Sequence, residues 1–405
     1  MRTASGIRVA HWIAATGCFI ACGGQPVPVV ALPQQPALEK SEAEIRELDI
    51  AYFSERARRD PTGALDLARL SALYLARGRE TGNPRDAILA EESARRSLRN
   101  RRERNDAAVQ VLVSALLAQH RFTEALPLAK GQRDEDPTNP ALRAVVGDIE
   151  MELGQYDAAR ESFAGIHAAL GDPAVAPRLA RWAEIQGNTE RARTLLHAAL
   201  TTVLRSPEVP REQVAWFWLR VGDVELRAQK YAAADSAYRA GLAAHPDDYR
   251  LLSAVARSAE LQQNWRRAIT FGEKAIGITL DPTTLGVLST AYAAIGDTGR
   301  SEEYARALDV AVLQQPGAYH RAWSLFLLDR EEHVARVLSK VRAELKTRKD
   351  VYAYDLLAWA LHRQGRDREA KEAMTVALAQ GTKDAQLDFH AAEIERSLTT
   401  GMATR

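Results

Sequence analysis

Cysteine and histidine come first, because thiolate and imidazole chemistry depends on them. The only cysteines are Cys18 and Cys22, so the chain from Gly23 onward can support neither a disulfide nor Cys-based thiol or metal chemistry. The histidines, among them His120, His167, His197, His245, His320, His333, His362 and His390, are scattered. No two are three or four residues apart, the spacing that would put a ligand pair on one helix face. There is no Gly-rich phosphate loop, HExxH, CxxC pair or GxSxG elbow. Glu91 and Glu92 stand four residues before Arg95 and Arg96, a pairing that supports a helix and needs no catalytic role. The densest charge run holds Arg95, Arg96, Arg99, Arg101, Arg102 and Arg104, and reads as a helix end whose cations complement the dipole. No catalytic, cofactor-binding or metal-binding residue is assigned, and the expectation is a protein that is not an enzyme and carries no cofactor. A net charge of +1 argues against a general nucleic-acid footprint.

The elements that carry these residues begin with a leader. Arg2 and Arg8 precede an apolar run from Val9 to Ala21 that is too short to span a bilayer and suits a signal-peptide core. The run ends Phe19-Ile20-Ala21-Cys22, which resembles the lipobox of bacterial lipoproteins. That resemblance implies diacylglyceryl modification of Cys22, an N-terminal lipid anchor, and a place in the bacterial cell envelope. Cys18 is a second candidate, and plain cleavage after Ala31 a third. A cytoplasmic protein with an uncleaved leader is the alternative. The segment GGQPVPVVALPQQPALEK reads as an extended tether. About 16 such residues at ~3.1 Å each reach roughly 50 Å.

Beyond the tether a small residue returns at Ala125, Ala159, Ala192, Ala234, Ala268, Ser301, Ala335 and Ala370. Intervals near 34 residues, with one of 42, mark a helical solenoid in which each unit is a helix pair that cannot bury its own apolar face. The clearest unit runs from Trp218 to Pro246, with Gly222 and Ala234 as the small residues that let its two helices approach. A second, GDIEMELGQYDAARESF, carries Gly147, Tyr156, Ala159 and Phe163. In Trp218, Gly222, Ala234, Tyr238 and Pro246 the chain resembles the tetratricopeptide repeat family, a likeness extending over about Asp60 to Gly381. The fold it implies is all-α, a right-handed α-solenoid superhelix of tandem helix pairs. The copy anchored on Ala335 departs from the pattern, with Trp323 where a small residue is expected. The expected division is a signal peptide over 1–22, a tether over 23–40, a capping helix over 41–60, about 8–9 repeats over 61–381, and a C-terminal cap and tail over 382–405.

The same resemblance implies that the first helix of each pair lines a concave groove holding a protein or peptide partner. Carried onto this chain, groove positions fall at Trp216, Leu219, Asp223 and Arg227, at Arg250 and Arg257, and at Tyr352, Asp355, Trp359 and Arg363. Trp216, Tyr352 and Trp359 stand out, since aromatic and Arg side chains dominate interface energetics. Trp182, Trp265 and Trp323 are expected in the core. The function expected is a non-catalytic interaction scaffold, with a cytoplasmic adaptor or regulatory protein, or the binding arm of an enzyme, as alternatives.

Overall fold

The computed structural model describes residues 40–166, 170–313 and 321–403. Contacts divide the chain into Met1–Ala31 and Leu32–Arg405, and only the second unit contains described residues. Cys18, Cys22, Ala31 and the tether through residue 39 lie outside them, as do His167 and His320.

The described residues form twenty helices and no strand. A single helix, α1 (Glu42–Arg59), precedes nine pairs. They are α2 (Ala64–Thr81) with α3 (Pro84–Asn100), α4 (Asp106–Ala118) with α5 (Phe122–Glu135), and α6 (Pro140–Glu152) with α7 (Tyr156–Phe163). Next come α8 (Ala176–Ile185) with α9 (Thr189–Leu204), α10 (Arg211–Arg227) with α11 (Tyr231–Ala244), and α12 (Tyr249–Leu261) with α13 (Trp265–Ile276). The last are α14 (Pro282–Ala294) with α15 (Thr298–Leu313), α16 (Arg321–Asp329) with α17 (Val334–Glu344), and α18 (Val351–His362) with α19 (Asp367–Leu378). α20 (Ala385–Ala403) closes the array. Each helix packs mainly on its sequence neighbours, which makes an α-solenoid of tandem helix pairs.

Local chemistry sets the helix starts. Ser41 opens α1 with a reciprocal capping box to Glu44. Asn139, Asp248, Asp281 and Asp350 accept the first backbone N–H groups of α6, α12, α14 and α18.

The periodic small residues do the packing. Ala125, Ala159, Ala192, Ala234, Ala268 and Ala370 are fully buried, and Ser301 nearly so. Each is the fourth residue of the second helix of its pair. Opposite them, a Cβ on Gly222 would come within 2.5 Å of the Tyr238 ring, and one on Gly147 within 2.9 Å of the Phe163 ring. The α16/α17 pair breaks the pattern. Ala335 is exposed, and the buried fourth residue of α17 is Val337. The true register lies two residues beyond the one read from the sequence. Trp323 is buried, and its indole N–H donates to Asp309 at 2.7 Å, outside its own pair. The pair accordingly packs far less closely than its neighbours. Trp182 is buried as well, and Trp265 half-buried.

The coil also closes on itself. The turn between α6 and α7 meets the turn before α18, across 195 to 196 residues of sequence. There the Lys349 N–H donates to the Leu153 carbonyl at 3.2 Å, and the Val351 N–H to the Tyr156 hydroxyl at 2.7 Å. Arg348 pairs with Glu152 at 2.8 Å. One turn further along, the Thr382 hydroxyl donates to the Ile185 carbonyl at 2.5 Å, again across 197 residues. Near the start, the Arg211 N–H donates to Glu42 at 3.2 Å, and His245 lies 3.5 Å from Glu80. Separations of 165 to 197 residues correspond to about five to six repeats, so consecutive turns of the superhelix touch along a seam.

Candidate functional site

Helical periodicity puts three polar stripes on the inner wall of the coil. On α8 it is Arg181 and Glu184; on α10, Arg220, Asp223 and Arg227; on α12, Arg250, Ser253 and Arg257. Residues three, four and seven apart share a helix face, so each stripe looks inward while Trp182, Trp218 or Leu251 fills the core behind it. The seam brings the next turn across from these stripes, contributing Arg321, Arg348, Tyr352, Gln386 and Phe389. The two turns enclose a cavity of about 780 Å³, within the size range of ligand-holding clefts.

The arginines are held in place by carboxylates, some in the wall itself and some behind it. Glu184 takes both Arg220, at 3.2 Å, and Arg227. Burial favours a neutral Glu184, but the two guanidiniums outweigh it and hold the carboxyl below its ordinary range. Glu152 takes Arg181 and Arg348, and so joins α8 to the turn before α18. Arg250 pairs with Asp248 at 2.5 Å and with Glu212 at 2.8 Å. Arg321 reaches Asp355 at 2.6 Å and lies over the Tyr352 ring at 5.0 Å. Burial pushes the Tyr249 hydroxyl up to about 12, so it stays a donor at neutral pH. The Tyr238 hydroxyl donates to Asp223 at 3.1 Å, which anchors that stripe to the α10/α11 crossing.

Of the ten groove positions, Leu219, Asp223, Arg227, Arg250, Arg257 and Tyr352 line this cavity. Four do not. Trp359 is buried, its ring between His362 at 5.0 Å and His390 at 4.2 Å, and its indole N–H donates to Asp329 at 2.9 Å. Asp355 is fully buried between Arg321 and His390. Burial would raise its pKa, but His390 and Arg321 together keep it below the usual carboxylate range. Arg363 lies over Trp359 and bonds the Leu328 carbonyl at 2.9 Å. Trp216 is half-buried, edge-on to Phe217 at 5.0 Å. The solenoid end thus turns three of these side chains into packing, because α20 covers α18.

Sequence reading missed Arg181, Arg220, Arg321, Arg348, Tyr249 and Phe389. Arg220 and Tyr249 adjoin positions that were marked, and a wider helical stripe would have included them. Arg348 and Arg321 stand opposite α8 only through the seam, and no local spacing signals that.

Residues 116–181 match the tetratricopeptide repeat family model. No curated protein matches the chain. Among solved structures, yeast Tom70 is similar at 12% identity and a TM-score of 0.39, covering 90% of this chain and 93% of that one. Cut9 with Hcn1, from an APC/C hetero-tetramer, is similar at 11% identity and a TM-score of 0.34, covering 88% of each chain. Among the described residues no three His, Cys, Asp or Glu side chains gather as a metal site, and no helix is long and apolar enough to cross a membrane.

Proposed function

We propose that this protein is a non-catalytic interaction scaffold whose solenoid holds a segment of a partner protein, as a peptide or a helix, on its inner wall. One observation carries the reading. The wall presents side-chain donors from three consecutive first helices, α8, α10 and α12, into a single cavity, while the apolar faces of those helices are spent on the core. The tetratricopeptide match of residues 116–181 supports the same class of function. The leader supports export to the bacterial envelope, with Cys22 lipidated and the tether holding the solenoid clear of the membrane. Nothing in this function calls for a cofactor or nucleic acid.

The test places a photo-crosslinking residue at Leu219 or Tyr352 of the tagged full-length protein in its native cells. A third variant carries it at Arg306, whose side chain is 70% exposed on α15. A small set of proteins linked from Leu219 and Tyr352 but not from Arg306, with saturable binding on purification, is expected. Equal labelling from all three positions would sink the reading. Mass spectrometry of the same material reads the N-terminus. A diacylated Cys22 peptide supports the envelope assignment, whereas an intact Met1 peptide favours the cytoplasmic alternative.

A further inference from the structure

We infer that the edge of the solenoid formed by the end of α3 and the turn into α4 is a docking surface for an anionic phospholipid bilayer, with Arg96, Arg99, Arg101, Arg102 and Arg104 as its headgroup contacts. This rests on the export reading above and adds how the solenoid meets the membrane.

The arginine run is more than the end of a helix. α3 stops at Asn100, so only Arg99 stands in its last turn and complements the dipole there. Arg96 is three residues earlier on the same face, and Arg101, Arg102 and Arg104 lie beyond the helix. All five are exposed. Among the described residues, Arg96, Arg99, Arg102 and Arg104 make no side-chain hydrogen bond or ion pair, and Arg101 bonds only the Glu103 carbonyl, at 3.1 Å. Arg95 differs, since Glu91 takes it at 2.8 Å. Glu92, Glu103 and Asp106 are exposed acids alongside, and among the described residues none of their carboxylates pairs with the run.

The fold holds the backbone under these side chains without using their charge. Asn105 is buried, and its amide donates to the Ser97 hydroxyl and the Arg101 carbonyl, both at 3.0 Å. Ser97 in turn donates to the Ala64 carbonyl at 2.7 Å, and the Asn100 amide to the Pro61 carbonyl at 2.8 Å. The turn is thus fixed against the start of α2, and the guanidiniums project from a supported edge. Their charge is left to meet an anion outside the fold.

Shape and chemistry favour a bilayer as that anion. A guanidinium takes a phosphate bidentately, and several on an outward edge can each meet a separate headgroup of a flat surface. A protein interface needs a dry apolar centre, and this edge supplies little beyond Leu65, 66% accessible at the start of α2. At a bilayer that leucine has a place, at the boundary between headgroups and acyl chains. The position along the chain agrees. The tether enters at Ser41, and α1, 18 residues or about 27 Å long, leads to the turn at Pro61 that Asn100 holds. A tether of roughly 50 Å spans that distance. The tether sets how far the solenoid can stand off, and attraction at this edge sets how it lies.

The experiment uses the full chain with Cys18→Ser and Cys22→Ser, so that no lipid can be attached. Vesicles of equal parts phosphatidylglycerol and phosphatidylcholine should carry the protein on flotation, pure phosphatidylcholine vesicles far less, and added salt should release it. Arg99→Gln, Arg102→Gln and Arg104→Gln together should weaken binding about tenfold or more, and the three corresponding lysine substitutions much less. The same loss of charge at Arg239, Arg266 and Arg306, exposed on α11, α13 and α15, should leave binding nearly unchanged. Arg2 and Arg8 of the leader are common to every variant, so they do not contribute to the difference. Circular dichroism would verify that each variant folds. Independently of those variants, an environment-sensitive dye on Leu65→Cys should shift to the blue with the mixed vesicles, and one on Arg306→Cys should not. Equal binding to neutral vesicles, an equal loss in the control triple, full binding by the glutamine triple, or an unshifted dye at position 65 would each overturn the inference. So would polyglutamate outcompeting the vesicles, which would make the edge one for an acidic protein. A diacylated Cys22 in cells with no vesicle binding by the unlipidated chain refutes this inference and leaves the export reading standing. Vesicle binding by a chain that keeps Met1 in cells supports the edge and refutes export.

Discussion

Five turns between paired helices carry a glycine with positive φ, and they fall into two groups. Gly82, Gly154 and Gly187 lie on the seam; Gly296 and Gly365 lie where, among the described residues, no second turn of the coil approaches. Their backbone angles are alike, from 69° to 86°. Their surroundings are not. A Cβ on Gly154 would overlap the Lys349 carbonyl and sit 2.9 Å from the Asp350 nitrogen. On Gly187 it would overlap the Gly381 carbonyl, and on Gly82 it would lie 2.9 Å from both Thr279 and Tyr249. On Gly296 or Gly365 it would meet nothing within 4 Å. The turns after α4, α10 and α12 make the same bend with His120, Gln229 and Gln263, so glycine is not demanded by the turn alone. At Gly154 and Gly187 it is demanded by the backbone of a loop nearly two hundred residues away, and at Gly82 by the side chains of Thr279 and Tyr249.

The largest effect should come from Gly154→Ala. It combines left-handed strain with a backbone overlap that only separation of the turns relieves, about 2–5 kcal/mol against the seam. Faster hydrogen exchange at Lys349 and Val351 and a larger radius of gyration in X-ray scattering would register it. Gly187→Ala should act the same way at the Thr382 contact. Gly222→Ala tests the opposite region, the crossing inside one pair. Overpacking against Tyr238 should cost about 1–3 kcal/mol, appear as a lower Tm, and leave the seam exchange pattern intact. Gly365→Ala is the control, with about 1 kcal/mol of strain and no change in scattering. If Gly154→Ala and Gly365→Ala behave alike, the distinction between the two groups fails.

The smallest effect expected is on pH. The Glu80 carboxylate raises the His245 pKa above the ordinary 6.5, against the pull of burial, with Asp248 and Glu212 adding to it. Imidazolium is therefore favoured in the closed coil. Its contribution is full below the unfolded pKa and fades as pH rises through the folded one. His245 in turn lowers the Glu80 pKa from 4.5, so that part is present above 4.5 and lost as pH falls through the folded value. The contact between the first and second turns should thus hold best between about 4.5 and 6.5. Above that window it should loosen by under about 1 kcal/mol, seen as faster exchange near Gly82, and His245→Ala should flatten the profile.

The groove was legible in part, for a physical reason. Leu219, Asp223, Arg227, Arg250 and Arg257 carry over from the repeat resemblance, whose phase holds on α10 and α12 because both sit mid-array, flanked on each side by helix pairs. Asp355, Trp359 and Arg363 have the same phase on α18, yet the neighbour there is α20, whose His390 stacks on Trp359 and pairs with Asp355. Phase fixes the direction of a side chain, but whether that direction is open depends on what packs next.

The sequence by itself determined the helix pair, its period, the small residues at its crossings, and the capped starts of the first helices. All of these are settled by contacts within about 34 residues, where a buried alanine or a capping aspartate has one local consequence. Only the tertiary structure decided the two-residue shift in α17, the closure of the coil at Gly154 and Gly187, and the cavity where Arg181 and Arg257 meet Arg321 and Arg348. Small per-repeat rotations accumulate over five to six repeats before those residues come together, and no single repeat records the sum.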